Sequence, residues 1–287
     1  MGQPTVDDVY EQVRKALPAS AHDAVPTVTP VAPGIRVLAL RTPTLPPAAH
    51  TNVYLVGGLV IDPGSPFGDQ QAILEEALAG ESITAVVLTH HHGDHVGGAK
   101  ALADRLGVPI AAHAATARRL AGRVRVTREL ADGEVFEGVT CVLTEGHAEG
   151  HLCFEHGDAT IAGDMVAGLG TILIDPSEGD MAVYLASLQR LLERGTNTLL
   201  PAHGPVIANG PAKLREYITH RTMREDKVVA ALAARTDASL TELLPDVYAD
   251  TPRILWPLAE RSLRAHLDKL VREHRAREPV PGRWTSH

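Results

Sequence analysis

The chain has 287 residues, 44% hydrophobic and 22% charged, an ordinary balance for a folded protein with room for one large domain and a small appendage. Its net charge of −8 is uneven: residues 213–287 hold 14 Lys and Arg against 11 Asp and Glu, which leaves the preceding body near −11. An acidic body with 3% aromatic residues argues against broad electrostatic capture of nucleic acid and against base stacking, and no apolar run approaches the roughly 20 residues of a membrane span.

The opening stretch, MGQPTVDDVYEQVRKAL, lacks a basic segment followed by an apolar one and does not read as a secretory signal. Thr5 with Asp8 reads instead as the cap of a short amphipathic helix, with Val6, Val9, Tyr10 and Val13 on one side. Residues 1–30 are taken as this helix and a lead-in. The two cysteines, Cys141 and Cys153, are too few for a disulfide framework and fit buried thiols in a reducing cytoplasm, the expected location.

From residue 31 to about 210 one pattern recurs. A short β-branched run ends in a polar turn flanked by Gly or Pro, and a helical stretch often follows. GLVIDPGS ends at Asp62, ITAVVLTH at His90, GVTCVLTEGH at His147, DATIAGD at Asp164 and TNTLLPAHG at His203. Apolar runs this short, without clean alternation, predict strands covered on both faces, and their interleaving with helices predicts an α/β class. The proline-rich TPTLPPAAH (42–50) is a loop before the strand TNVYLV. After Pro211 the pattern turns helical. AKLREYITHRTMREDKVVAALAAR reads as one long helix with Leu214, Ile218, Val228 and Leu232 among its apolar positions. SLTELLPDVY opens on Ser239 as a cap, PLAERSLRAHLDKLVREH places Leu258, Leu263, Leu267 and Leu270 on one side, and a short wing is expected near EPVPGRW. Residues 211–287 are therefore expected to form a small second domain.

The stretch LTHHHGDHVGG crowds four histidines and an aspartate into six positions behind an apolar strand. His90 and His92, two apart, can point the same way, and Gly93 relaxes the backbone so that Asp94 and His95 can face a second point. Neutral imidazoles beside carboxylates pack poorly together but surround a divalent cation well. His147, Asp164 and His203 end other strands, and neighbouring strand ends converge on one edge of a sheet. A His-rich solvated loop is the plain alternative, disfavoured because separate loop ends agree.

THHHGDH resembles the T-H-x-H-x-D-H signature of the metallo-β-lactamase superfamily. TEGHAEGH is similar to its third motif, AGD to its fourth, PAHG to its fifth and IDPG to its opening aspartate motif. The resemblance covers roughly residues 35–208 and implies a four-layer αββα sandwich with metals at one edge. It assigns His90, His92 and His147 to one metal and Asp94, His95 and His203 to a second, with Asp164 bridging. It implies two zinc ions, with manganese or iron as alternatives, holding between them a hydroxide that attacks substrate. Asp94 would also orient that water and shuttle a proton, while Asp62 would fix the ligand loops by hydrogen bonds. His91 is expected to turn away from the metals, as a structural or exposed residue. His151 matches the second histidine of the third motif, and is placed as a catalytic group at the substrate or oxyanion, against an alternative structural role. The glycines of HVGG would let the next helix start close to the ligands, or serve ordinary packing. Glu145 and Glu149 stand where the family usually has prolines.

The tail motifs YITHRTMRE and PLAERSLRAHLDKL, with GDMAVYLASLQRLL before the fifth motif, resemble the branch of the superfamily carrying a C-terminal winged-helix-like domain. That branch includes β-lactamase-like endoribonucleases and thioesterases that release polyketides from acyl carriers. Tyr217, His220, Arg221 and Arg224 share one side of the long helix. They would either present donors to an anionic group or, the favoured expectation, form a solvated face. The activity expected is hydrolysis of an ester or thioester of a small or carrier-bound acid, with cleavage of single-stranded nucleic acid as the alternative. A non-enzymatic role is disfavoured because every ligand position is filled. No membrane partner is expected, and the residues carry no signal of oligomeric state.

Overall fold

Period-two alternation along the strands sorts apolar side chains onto two faces, and the faces build the layers. In the computed structural model, which describes residues 6–16 and 26–287, seven strands form the first sheet in chain order: β1 (Thr29–Ala32), β2 (Ile35–Arg41), β3 (His50–Val56), β4 (Leu59–Ile61), β5 (Ala85–Val87), β6 (Ile110–His113) and β7 (Arg128–Leu130). The first four pair antiparallel, and β4 through β7 run parallel. The second sheet is β8 (Val135–Phe136), β9 (Val139–Leu143), β10 (Leu152–His156), β11 (Ala159–Gly163) and β12 (Thr198–Pro201), with only β11 and β12 parallel.

Alternate residues of β3 show the sorting. Val53 and Leu55 join one core with Leu74 of α2 (Gly68–Ala77) and with Leu102 of α4 (Ala99–Leu106), the helix that follows the single turn α3 (Gly93–Val96). Tyr54 and Val56 face the second sheet and pack with Cys141, Phe154 and Ile161. The far face of that sheet, through Val142, Cys153 and Leu199, packs on Tyr184 and Leu188 of α6 (Met181–Glu193), which follows the short α5 (Ala114–Arg119) in the chain. Helix, sheet, sheet and helix thus stack in four layers. β4, β5 and β11 are buried at every residue, which is why their sequences show no polar alternation. Both cysteines are buried and free, and burial pushes each thiol up to about 12.

Near the N-terminus, α1 (Val6–Ala16) buries Val9 and Val13. The cap expected at Thr5 lies outside the described residues. Beyond the sandwich, α7 (Gly210–Ala233) is one unbroken helix of two halves: Leu214 and Tyr217 belong to the core under the second sheet, Val228 and Leu232 to a separate core. That last core also takes Leu243 of α8 (Leu240–Val247), Leu263, Leu267 and Leu270 of α9 (Trp256–Arg272), and Trp284 of the hairpin β13 (Ala276–Val280) and β14 (Arg283–Ser286). Ser239 caps α8 with a full capping box to Glu242, and the hairpin is the expected wing. No helix among the described residues is long and apolar enough to cross a membrane.

Candidate metal centre

Five loops at strand ends deliver the polar cluster, and each is fixed by close backbone packing. Asp62, directly after β4, has a left-handed backbone (φ 53°), a conformation that costs a non-glycine residue about 1 kcal/mol. Its carboxylate offsets that cost: Thr89 N–H donates to Oδ1 (2.8 Å), while Thr89 Oγ1–H (2.6 Å) and His95 Nδ1–H (2.8 Å) donate to Oδ2. A Cβ on Gly64 would lie 1.7 Å from the Asp94 carbonyl oxygen, and one on Gly98 2.6 Å from that of Pro63. The HVGG glycines therefore let α3 and α4 press against the Asp62 loop. Ordinary helix–sheet packing is not their role.

The tautomers follow from what each ring touches on its outer side. Because Thr89 Oγ1–H is spent on Asp62, this oxygen accepts from His90 Nδ1–H (2.9 Å). His147 Nδ1–H donates to Leu173 O (2.9 Å), His203 Nδ1–H to His50 O (3.0 Å) and His92 Nε2–H to Glu178 Oε1 (2.8 Å). Every remaining nitrogen then presents a lone pair to the cluster: Nε2 of His90, His95, His147 and His203, and Nδ1 of His92. His90 Nε2 and His147 Nε2 stand only 2.9 and 3.1 Å from His92 Nδ1. His95 Nε2 and Asp164 Oδ1 are buried with no hydrogen-bond partner. Acceptors converging on acceptors are unfavourable unless a cation lies between them, so these donors fit metal ions.

The ligand atoms of His90, His92, His147 and Asp164 lie within 4.8 Å of one another, as do those of Asp94, His95 and His203 and those of His91, His92 and Glu178. The third set is closed by the contacts of Glu178 with both of its histidines, which leaves the first two for metal ions. Asp164 faces both: Oδ2 is 3.5 Å from His147 Nε2, and Oδ1 is 3.3 Å from His203 Nε2 and 3.6 Å from His95 Nε2. Asp94 Oδ2 is 3.4 Å from His203 Nε2. Burial drives His90 well below the ordinary imidazole value and His147 down to about 4, so both present lone pairs at neutral pH.

Two sequence expectations are corrected here. His151 does not reach the substrate side. Its ring is fully buried, Nδ1 is 2.9 Å from Thr144 Oγ1, and Nε2 accepts from Asp164 N–H (3.1 Å). Gly163, at φ 48°, leaves room for it, since a Cβ there would approach Nε2 to 2.5 Å. His151 therefore props the backbone of Asp164. His91, expected to be structural or exposed, takes the structural place: it is buried, with Nε2 2.9 Å from Glu178 Oε2. The second correction concerns the long helix. Tyr217, Arg221 and Arg224 are buried rather than solvated, because the 171–172 segment, α8 and α9 cover them.

Glu178 is the residue that sequence reasoning missed. It sits in the loop DPSEGD, where Asp175 Oδ1 accepts from Ser177 N–H (2.9 Å) and Oγ–H (2.7 Å), and Arg261 of α9 pairs with Asp175 (3.2 Å). Glu145, at a usual proline position, accepts Gly150 N–H (2.8 Å) and so restrains the third-motif loop by a hydrogen bond instead of a ring.

Beside the donors opens a cavity of about 300 Å³. Asp94 and His203 line its inner end; Leu45, Pro46, Leu169 and Ile172 line its sides, and Leu255 and Leu258 come from the C-terminal unit. Tyr10 of α1 also lines it, and Arg14 Nη1–H donates to Pro43 O (2.8 Å).

A layered α/β fold with a His/Asp donor cluster at the strand ends defines a class of metallohydrolase-type proteins, and the comparisons agree. Residues 46–203 match the metallo-beta-lactamase superfamily and residues 239–284 match the beta-lactamase associated winged helix domain. The chain belongs to the metallo-beta-lactamase superfamily. It is 34% identical over 276 residues to the lactamase-like protein vrtG of Penicillium aethiopicum, covering 83% of this chain and 85% of that one. Over 269 residues it is 30% identical to an atrochrysone carboxyl ACP thioesterase of Passalora fulva, covering 84% and 79%. Among solved structures, a beta-lactamase domain protein from Burkholderia ambifaria superposes with a TM-score of 0.77 at 21% identity, covering 92% of this chain and 97% of its own. TTHA1623, solved in a di-iron-bound form, is 28% identical with a TM-score of 0.50, covering 58% and 94%.

Proposed function

We propose that this protein is a dinuclear metal-dependent hydrolase that cleaves a thioester or ester of a small or carrier-bound acid in the cytoplasm. The observation that carries the reading is the pairing of a donor cluster, in which Asp164 faces two sets of ligands, with a largely apolar cavity of about 300 Å³ beside it. Cations bound there, zinc in the first instance with manganese or iron as substitutes, supply Lewis acidity and a water nucleophile at neutral pH. His90, His92 and His147 would hold one ion, Asp94, His95 and His203 the other, and Asp164 both.

The chain's own groups do the rest. Asp94, which lines the cavity, orients the attacking water and takes its proton for delivery to the departing thiol or alcohol. Asp62, Glu178 and His151 hold the ligand loops in place. The apolar walls of Leu45, Leu169 and Ile172 exclude bulk water and receive the acyl body. The thioesterase named among the relatives supports an acyl substrate. A polynucleotide fits less well, because the body that holds the donors carries a net charge near −11.

The test is turnover of a panel of thioesters, esters, lactams and unstructured RNA by metal-loaded enzyme. Thioesters or esters should be hydrolysed and RNA left intact. RNA cleavage without acyl turnover would reverse the assignment.

A further inference from the structure

The wall of the cavity formed by α7 carries a charge with no counterpart. Arg221 and Arg224 both line the cavity and are 3% and 5% exposed. Arg224 has a carboxylate partner, Asp250 Oδ1 at 2.8 Å. Arg221 has none among the described residues: its Nη2 donates to Ile172 O and Thr171 Oγ1, both neutral acceptors. In both side chains Nε is buried without a hydrogen-bond partner. His220, Tyr248 and Ser262 line the same stretch. A buried guanidinium held only by neutral acceptors and by the Tyr184 ring, 5.5 Å from its centroid, is unfavourable, and the orphaned Nε donors of Arg221 and Arg224 add to that cost. These contacts explain how Arg221 holds the 171–172 segment; they do not explain why a full charge is kept in this wall.

We infer that this wall binds an oxyanion on the acyl part of the substrate, so that the preferred substrates are thioesters or esters of apolar acids bearing a second carboxylate. This rests on the hydrolase reading above and adds to it a substrate class. The scissile carbonyl lies at the Asp94 end, the apolar body against Leu45, Leu169 and Ile172, and the second carboxylate on the guanidinium of Arg221. The burial of Arg221 places the anion on the acyl side. The phosphate of a carrier's pantetheine arm, by contrast, must stay connected to a carrier outside the protein.

The experiment compares N-acetylcysteamine thioesters of straight-chain dicarboxylic acids with their methyl-ended counterparts on the native, metal-loaded enzyme. One well-oriented charge-assisted contact corresponds to about ten- to a hundredfold, so the best dicarboxylic member should exceed its methyl-ended partner by that factor in kcat/KM, mainly through KM. In Arg221→Met the ratio should collapse toward one, and Arg221→Lys should restore part of it. Calorimetric binding of the free dicarboxylic and monocarboxylic acids gives a second readout that needs no turnover. Tighter binding of the dicarboxylic acid, lost in Arg221→Met, without hydrolysis of any thioester would keep the anion site and sink the hydrolase reading. Equal handling of both series by the native enzyme would overturn the inference. So would an Arg221-dependent gain that appears only when 4′-phosphopantetheine replaces N-acetylcysteamine as the thiol.

Discussion

Glu178 Oε1 lies 2.8 Å from Nε2 of His92, on the side of the ring opposite the nitrogen that meets His90 and His147. The carboxylate thereby selects which nitrogen of His92 carries the lone pair, and its other oxygen reaches His91 at 2.9 Å. Burial raises the Glu178 pKa, but the two histidines more than cancel this and hold the carboxyl far below its usual range. Replacing Glu178 with alanine should weaken metal affinity about 10–100-fold, the usual cost of losing an outer partner of a ligand. Competition against a fluorescent chelator measures this; unchanged affinity would show that His92 is oriented by something else.

Removing the metals should remove the activity. Dialysis against a chelator is expected to silence hydrolysis, and zinc, manganese or iron to restore it. Elemental analysis of the reloaded protein should find about two ions per chain. His92→Ala should lose turnover while keeping native circular dichroism, and an active His92→Ala protein would dismiss the mechanism.

Asp62 offers a test of stability. Its carboxylate accepts three hydrogen bonds while its backbone sits at φ 53°. Asp62→Ala keeps the strained backbone and loses the bonds, for an expected loss of about 3 kcal/mol. Asp62→Asn, which tolerates the left-handed region and keeps an acceptor, should cost less. Urea unfolding of the two variants gives the order, and the reverse order would refute this account.

Glu225 makes the C-terminal unit sensitive to acid. Burial raises its pKa, but His266, Lys269 and Arg275 together bring the carboxyl down to about 2, against an ordinary 4.5. A group whose pKa is depressed on folding stabilises fully above its unfolded value and loses that contribution as pH falls through its folded value. Glu225→Gln should therefore cost on the order of 2–3 kcal/mol at pH 7. The gap from native protein should narrow progressively between about pH 4.5 and 2. Parallel denaturation curves at pH 7 and pH 3 measure it, and a gap independent of pH would exclude the linkage.

The cluster of candidate donors was legible in the sequence because each stands at a strand end inside a short motif, while their sorting into two sets came from the family resemblance. The α/β class followed from the same strands, the four layers from the resemblance, and the cap at Ser239 from local chemistry. What sequence reasoning missed depends on distant partners. Glu178 is a lone carboxylate in a loop, and nothing near it reveals that it meets His91 and His92, more than eighty residues away. Arg221 and Arg224 share a helix face that looks solvated until Ile172 and Val247 cover it from elsewhere in the chain. His151 shares a motif with His147, yet its place behind Asp164 depends on the positive φ of Gly163 in another strand.

One unbroken rod, α7, is rooted in two hydrophobic cores, with Leu214 in the first and Val228 in the second. Any change in the tilt of one body against the other would therefore have to bend this helix, and Arg221 and Arg224, which lie between its two roots, line the chamber.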